Sequence, residues 1–372
     1  MERSENGQMG SISGRDRKDR ETDNMRRKGR KANWAVKAFL VSAAAILLVL
    51  VLNFIYLQDR ANFDWETEKF GEVQQPVLCN VGSSHGEYGF NYTELRQQGA
   101  DCFNFALPSQ MFDYDLALLK QYRSHLKEGT VVLIPISYFS FTDETLNTAD
   151  QESRKVRYYQ FMDPENIPDY DWFVDLTTHR LPILSAGSKI LKLPYDFLFW
   201  GKDYEEEALS FTLQVQARGS SSPEDADGAE SMEPQAEELQ RFEEIAAQRF
   251  ERHFADRPVF FQEDRTRQLE EMIDYCLENG WRPVLLTTPF YESYTKMIDE
   301  DFLERFDRIV REIADSRGIS YYNYGVDERF NHTIAYFGDP DHLNTEGSLY
   351  FMRLLCKEIP EVRDVTANCS LQ

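Results

Sequence analysis

The pattern of apolar and polar positions shows one long apolar run near the N-terminus, followed by short apolar runs that alternate with amphipathic stretches. Short runs bounded by polar positions are typical of buried strands, and apolar residues at helical spacing indicate helices. The predicted strands are 77–81, 101–106, 131–136, 282–288 and 319–324, and the predicted helices are 89–98, 110–127, 264–279, 300–317 and 345–358. This alternation predicts an α/β fold, with a parallel sheet between helices in three layers, α/β/α.

The long apolar run covers residues 38–57, which include no charged residue. Its length corresponds to about 30 Å of helix, the thickness of a bilayer core. Basic residues at 26–31 precede it, and basic flanks stay on the cytoplasmic side. We therefore expect a single transmembrane anchor at 34–58, with the N-terminus in the cytoplasm and the C-terminal domain outside the cell. A cleaved signal peptide is the alternative, but its apolar core would be shorter and would end in a small-residue cleavage site.

The remaining segments are assigned by composition. Residues 1–33 are polar and charged, which predicts a disordered basic tail. A stalk at 59–75 leads to one domain at 76–372. Within this domain, 137–263 is rich in aromatic residues without a clean period, and we interpret it as an insertion that covers the sheet or forms a lid. Its Ser-, Pro- and acid-rich part at 217–238 is predicted to be disordered.

Charge excludes one class of partner. The net charge is −23, and residues 1–37 carry 11 Lys and Arg against 6 Asp and Glu, which leaves about −28 on the rest. Nucleic-acid binding depends on neutralising phosphates, so no nucleic-acid partner is expected. The chain has five cysteines, an odd number, and their spacing is irregular. This pattern favours neither a disulfide framework nor a zinc site. One bridge between Cys356 and Cys369 stays open as an alternative.

The first chemical motif is NVGSSHG at 80–86, directly after the first predicted strand. Open α/β sheets bind ligands at the carboxyl ends of their strands, and a Gly-Ser-Ser turn there exposes a hydroxyl. The amides at the start of the next helix face an incoming oxyanion. Gly-Ser turns are common, so this motif alone is weak evidence for catalysis.

The second motif is GDPDHLNTEGS at 338–348, just before the last predicted helix. The spacing of Asp339 and His342 allows the carboxylate to reach one imidazole nitrogen while the other faces outward. A serine nucleophile needs such a base, and the base needs an orienting acceptor. The alternative interpretation is a capping loop with a partly buried structural histidine.

Together and in this order, the motifs resemble the SGNH (GDSL-type) hydrolase superfamily, over roughly 76–136 and 264–358. The resemblance implies a parallel, flavodoxin-like sheet and a catalytic triad. It assigns Ser84 as the nucleophile, His342 as the general base and Asp339 as its orienting partner. Ser83 is the rival nucleophile and Asp341 the rival acid, but the family spacing favours Ser84 and Asp339.

The resemblance also implies oxyanion donors, and here the sequence departs from the family. Its Asn-x-Gly becomes Asn104-Phe105-Ala106, and Ser137 stands where the Asn of its Gly-x-Asn-Asp would be. The backbone amide of Ala106 and the hydroxyl of Ser137 are the corresponding donors. We expect His85, Asn104 and Tyr291 to line the substrate site, with helix capping or loop packing as the alternatives.

These departures, with the single anchor, resemble the branch that acylates cell-surface polymers, such as the D-alanyl-lipoteichoic acid transfer protein and the alginate O-acetylation proteins. The resemblance implies an O-acyltransferase or esterase acting on a glycan or teichoic-acid-like polymer, beside a multi-spanning O-acyltransferase. A non-catalytic assembly partner and a lipid esterase are the alternatives. No cofactor is expected, and no metal site either, since His342 and His332 have no third ligand nearby.

Overall fold

The structure, a computed structural model, describes residues 14–61, 65–142, 155–185, 236–254 and 261–369. The chain divides into two compact units. One contains the N-terminal helix and the short segment that begins at Leu181, and the other contains the remaining described residues.

The N-terminal helix, α1, spans Gly14–Ala61 and includes the whole apolar run at 38–57. Its stretch Met25–Leu57 is long and apolar enough to cross a membrane. The helix also covers residues 14–33, where composition predicts a disordered tail; residues 1–13 lie outside the described chain. Arg, Lys and Glu are good helix formers, and these residues directly precede the apolar helix. Extending an existing helix avoids the free-energy cost of nucleating a new one, so the helix continues into the polar segment.

The second unit is built on a five-stranded parallel sheet with the order β2-β1-β3-β4-β5. Each strand lies within a predicted apolar run. The strands are β1 (Leu78–Asn80), β2 (Cys102–Asn104), β3 (Val131–Pro135), β4 (Arg282–Thr287) and β5 (Ser320–Asn323). A separate antiparallel pair consists of β6 (Phe337–Asp339) and β7 (His342–Leu343). Because the order reverses between β1 and β3, the ends of these two strands flank the crevice where open sheets bind ligands.

Helices separate the parallel strands, as the alternation predicts, and others precede and follow them. They are α2 (Trp65–Gly71), α3 (Ser84–Gly89), α4 (Thr93–Gln97), α5 (Phe112–Gln121), α6 (Ala236–Phe254), α7 (Glu263–Glu278), α8 (Glu292–Thr295), α9 (Glu300–Arg317), α10 (Glu328–Asn331), α11 (Thr345–Glu358) and α12 (Pro360–Val365). Where one helix is predicted at 89–98, only the short α4 is found, and α3 precedes this range and ends at Gly89. The turn after α9 uses Gly318 with φ of 66°, a left-handed cap that suits glycine.

Both faces of the sheet are buried, because alternate strand residues belong to different apolar clusters. Val132 and Ile134 of β3 pack with one cluster, which includes residues of α5, α7 and α9. Val131 and Leu133 pack with the other, which includes residues of α11 and α12. A sheet buried on both faces explains why its strands read as continuous apolar runs.

The predicted insertion at 137–263 is described in part. Short helical turns occupy much of residues 157–185, and α6 follows at Ala236–Phe254. Most of the acidic stretch at 217–238 lies outside the described residues. All five cysteines are free, so the Cys356–Cys369 bridge is not formed.

Candidate active site

The Gly-Ser-Ser turn lies at the carboxyl end of β1. Gly82 has φ of 113°, which side chains rarely allow, and a Cβ there would collide with the ring of Pro135. The Gly82 amide donates a hydrogen bond of 2.7 Å to the buried carboxyl of Asp115. This turn places Ser84 at the first position of α3, and Ser83 makes no capping hydrogen bond with its side chain. The amides of Gly86 and Glu87 donate to the Ser83 carbonyl at 2.9 and 3.0 Å. The amides of Ser84 and His85, at the start of α3, have no acceptor within the helix.

The loop that carries the second motif is fixed by its neighbours. Asn344 caps α11, because its side chain accepts a hydrogen bond of 2.9 Å from the Gly347 amide. A Cβ on Gly347 would collide with the carbonyl of Tyr336, so the helix start lies directly against that backbone. Asp339 ends β6 and His342 begins β7, and these two residues face each other in the antiparallel pair.

The structure brings Ser84, His342 and Asp339 together in a relay. Nε2 of His342 lies 2.8 Å from the Ser84 hydroxyl oxygen, and its Nδ1 lies 2.9 and 3.0 Å from the two Asp339 oxygens. The carboxylate only accepts, so Nδ1 carries the proton and Nε2 accepts from the serine hydroxyl. This is the hydrogen-bond order that activates a serine nucleophile.

The neighbouring charges tune His342 as a base. Burial alone would lower the pKa of His342, but the carboxylates of Asp341 and Asp339 outweigh it and raise the pKa above the usual 6.5. Arg249 works in the opposite direction. The imidazole ring is held between two edge-to-face neighbours, Tyr88 at 5.4 Å and His85 at 5.0 Å between ring centres.

The rival nucleophile has a different environment. Ser83 lines a small cavity of about 40 Å³ on the side of Asp115 and Met111, a cavity that His342 does not line. The relay geometry therefore selects Ser84 between the two serines of the turn.

Asn104 supports the nucleophile helix. Its side-chain amide donates to the carbonyls of Gly86, Glu87 and Phe90 at 3.1, 3.2 and 3.4 Å. Its side-chain oxygen accepts from Asn80 at 2.9 Å, and the same Asn80 amide also reaches the Gly86 carbonyl. Asn104 also borders a cleft beside the relay, but its hydrogen bonds tie the end of β2 to α3.

The two expected oxyanion donors are already engaged. The Ala106 amide donates to the Asn104 side chain at 2.9 Å. The Ser137 hydroxyl lies 2.9 Å from Nδ1 of His85, and the Ser137 amide donates to Ser140. The amides that remain beside the nucleophile are those of Ser84 and His85, the first two residues of α3. In this arrangement they are the candidates for binding a developing oxyanion.

His85 lies below the relay rather than at a substrate surface. It is 2% exposed, contacts Phe139 and Phe290 edge-to-face, and its Nε2 lies 3.6 Å from Asp341. Burial lowers the pKa of His85, so this ring stays neutral around pH 7. Asp341, the rival acid, is equally buried and lies 3.5 Å from Nδ1 of His342.

His85, Asp341 and His342 also form the one candidate metal cluster among the described residues, with ligand atoms within 4.8 Å of one another. The cluster differs from the pair His342 and His332 considered from sequence, because His332 instead pairs with Glu292 at 3.0 Å. The guanidinium of Arg249 lies against the same Asp341 carboxylate at 3.5 Å. A metal ion there would face this fixed positive charge.

Arg249 is a site residue that the sequence did not single out. It extends from α6 and donates to Asp339 at 3.1 Å while its Nε lies 3.5 Å from Asp341. Phe242, Ala246 and His253 are buried at helical spacing on the same helix. That spacing indicates a helix with one buried face. Arg249 lies on this buried face.

A cleft of about 740 Å³ opens beside the relay, and Tyr88, Asn104, Asp339 and His342 border it. The basic residues on its wall are Lys69, Arg96, Arg241, Arg249 and Arg252. Tyr291 does not border this cleft. Its amide instead donates to the Pro340 carbonyl at 2.9 Å, and its ring packs against Phe242 and Phe337. Tyr291 therefore supports the loop that carries the second motif.

No protein-family model matches this chain, and the search of curated proteins returned no match either. The relay geometry and the fold therefore carry the functional argument.

Proposed function

We propose that this chain is a membrane-anchored serine O-acyltransferase or esterase of the SGNH type, which acts on a cell-surface or secreted glycan. The observation that carries the proposal is the 2.8 Å contact between Ser84 and His342, with Asp339 on the opposite ring nitrogen. Ser84 lies 258 positions before His342 and meets the Asp339–His342 pair only in the folded chain.

In the first half-reaction, the Ser84 oxygen attacks the carbonyl carbon of an ester while His342 takes the hydroxyl proton. The bond between the acyl carbon and the leaving oxygen then breaks, and His342 returns the proton to that oxygen. In the second half-reaction, an acceptor hydroxyl or water gives its proton to His342 and attacks the acyl carbon. The bond between the acyl carbon and the Ser84 oxygen then breaks, and His342 returns the proton to that oxygen. Atoms and protons balance without a cofactor.

The cleft supports a glycan as the acceptor. Its wall carries both polar and aromatic groups, among them Tyr88, Asn91, Tyr92 and Asn344. The apolar helix supports a place at the membrane, with the second unit outside the cell in the orientation that the basic flank indicates. A multi-spanning O-acyltransferase in the same membrane is the proposed acyl source.

The test uses the full chain in detergent and a fluorophosphonate probe, which reacts with activated serines. We expect labelling that Ser84→Ala abolishes and Ser83→Ala retains. In cells, Ser84→Ala should also remove the acyl groups from the envelope polymer. Absence of Ser84-dependent labelling, with polymer acylation unchanged in the variant cells, would exclude the enzymatic proposal.

A second candidate function is a non-catalytic partner that binds an acyltransferase or glycan through the same cleft. The engaged donors Ala106 and Ser137 favour it, because an oxyanion site with fewer donors stabilises the tetrahedral intermediate less. The same labelling experiment separates the two, since a binding partner needs no reactive Ser84.

A further inference from the structure

A second acid, Asp341, lies beside His342, and it has no role in the proposed acylation steps. The Asp341 side chain is 1% exposed, and neither of its oxygens has a hydrogen-bond partner among the described residues. A buried carboxylate is costly unless opposite charges compensate it. Its placement therefore needs an explanation from its surroundings.

Three nitrogen atoms surround this carboxylate at nearly equal distances. Nδ1 of His342 and Nε of Arg249 each lie 3.5 Å from one oxygen, and Nε2 of His85 lies 3.6 Å from the other. These distances exceed a hydrogen bond but suit electrostatic contact. Burial would raise the pKa of Asp341, yet His342, His85 and Arg249 together hold it below the usual range. Asp341 is thus a fixed negative charge inside the site.

Asp339 differs in both exposure and bonding. Its side chain is 23% exposed, it hydrogen-bonds His342 with both oxygens, and it accepts from Arg249. Because Asp339 is partly exposed, solvent weakens its electrostatic effect on the ring, while its short contacts fix the ring's direction. The two carboxylates therefore suit two different tasks.

We propose that Asp341 stabilises the positive charge that His342 acquires on taking the Ser84 proton, while Asp339 orients the ring. Asp341 is a positioning residue in this scheme, since it acts through His342 and not on the substrate. The inference rests on the proposed function of Ser84 as nucleophile. It extends that proposal, because the acid of a catalytic triad usually both orients the histidine and stabilises its positive charge. Here two residues share these roles.

The experiment follows the rate of fluorophosphonate labelling against pH for the wild type, Asp341→Asn and Asp339→Asn, each as the full chain. In Asp341→Asn, the pH midpoint should fall by about 1 to 3 pH units, the range for loss of one neighbouring charge. In Asp339→Asn, the plateau rate should fall by about four orders of magnitude, because Asn favours the wrong tautomer. An unchanged midpoint in Asp341→Asn would overturn the inference, whereas an unlabelled wild type would overturn the proposed function instead.

A second measurement does not depend on Asp341→Asn folding. Titration of His342 by NMR of ¹⁵N-labelled histidine in Asp339→Asn should keep a midpoint above 6.5, because Asp341 remains. A fall to or below 6.5 would overturn the inference. Loss of labelling with EDTA and recovery with Zn²⁺ would also overturn it in favour of a metal at His85, Asp341 and His342.

The N-terminal unit contains a buried polar residue within its apolar helix. Asn53 is polar within the apolar run, yet it is 5% exposed, and its side-chain oxygen accepts a hydrogen bond of 3.3 Å from the Ile183 amide. Ile183 is 4% exposed, whereas its neighbour Leu184 is 58% exposed. The segment Leu181–Ser185 therefore packs on the apolar helix with one side and presents leucine on the other.

The position of Asn53 gives the depth of this contact. It lies four residues before the end of the apolar run at Leu57, which is about 6 Å along a helix. We infer that Leu181–Ser185 enters the outer leaflet of the bilayer beside the transmembrane helix, with Leu184 against acyl chains. His179 and Arg180 directly precede the segment, as polar residues at a membrane interface do.

This inference is tested with the full chain in lipid nanodiscs. Leu184→Cys, in a background with Cys356→Ser and Cys369→Ser, carries an environment-sensitive fluorophore, and Glu300→Cys is the exposed control. We expect lipids with a spin label on the upper acyl chain to quench the fluorophore at 184 and not at 300. Equal quenching at both positions, or quenching at 184 only when another membrane protein is added, would overturn it.

Discussion

The guanidinium of Arg249 donates a hydrogen bond of 3.1 Å to the carboxylate of Asp339, although 90 positions separate the two residues in the chain. The contact joins the helix Ala236–Phe254 to the relay. The carboxylates beside it keep Arg249 charged, since they raise its pKa against the effect of burial. A fixed cation beside the acid reduces the basicity of His342 and places the inserted helix at the site.

We expect Arg249→Gln to raise the pH midpoint of labelling, because loss of the cation leaves the two carboxylates unopposed around His342. Arg241→Gln is the matched control: Arg241 borders the same cleft from the same helix but forms no ion pair with either carboxylate in the described part of the chain. Labelling rates between pH 5 and pH 9 measure the shift. Equal midpoints in the two variants would contradict the assigned role.

In the wild type, labelling should increase with pH through a midpoint above 6.5. His342 accepts the Ser84 proton only when it is neutral, and the nearby carboxylates raise its pKa. The rate is therefore low at pH 5 and reaches its plateau on the alkaline side of neutrality. A rate that declines with increasing pH over this range would exclude neutral His342 as the base.

Gly82→Ala should lower both stability and labelling. The left-handed φ of 113° strains any L side chain, and the added Cβ would overlap Pro135. Gly99→Ala is the control, because Gly99 also has a positive φ, 87°, but open space around it. We expect Gly99→Ala to cost about 1 kcal/mol of unfolding free energy and Gly82→Ala clearly more. Urea unfolding in detergent, followed by tryptophan fluorescence, gives both values.

Asp115→Asn should remove a pH dependence of stability. Burial raises the pKa of Asp115 from 3.8 to about 7. Between these values the folded chain keeps a proton that the unfolded chain releases, so the unfolding free energy falls as pH rises. Asn keeps an acceptor for the Gly82 amide but does not titrate. The difference in unfolding free energy between the wild type and Asp115→Asn should therefore change between pH 4 and pH 7. A constant difference over this range would contradict the raised pKa of Asp115.

The strands were predictable because the sheet is buried on both faces, which turns each strand into a continuous apolar run. The helix Ser84–Gly89 was not, since a helix of six residues shows too little periodicity to distinguish it from a turn. Its position depends instead on tertiary hydrogen bonds from Asn80 and Asn104.

Within the site, the two sequence motifs singled out Ser84, Asp339 and His342, and the fold brings the three side chains together. Ser84 follows β1, Asp339 ends β6 and His342 begins β7. The engagement of Ala106 and Ser137 could not be predicted, since it depends on which neighbours compete for their hydrogen bonds. The role of Arg249 was not predicted from the sequence for another reason. Its helix lies between long acidic and aromatic stretches, and only the spacing of Phe242, Ala246 and His253 marks it.

The most direct test of the central claim is the site of the fluorophosphonate adduct. After the full chain reacts with the probe, peptide mass spectrometry should locate the phosphonyl group on Ser84. The adduct should disappear in His342→Ala and persist in His332→Ala, a histidine outside the relay. An adduct on Ser83, or one that forms equally well in His342→Ala, would contradict the assignment of Ser84 and His342 as nucleophile and base.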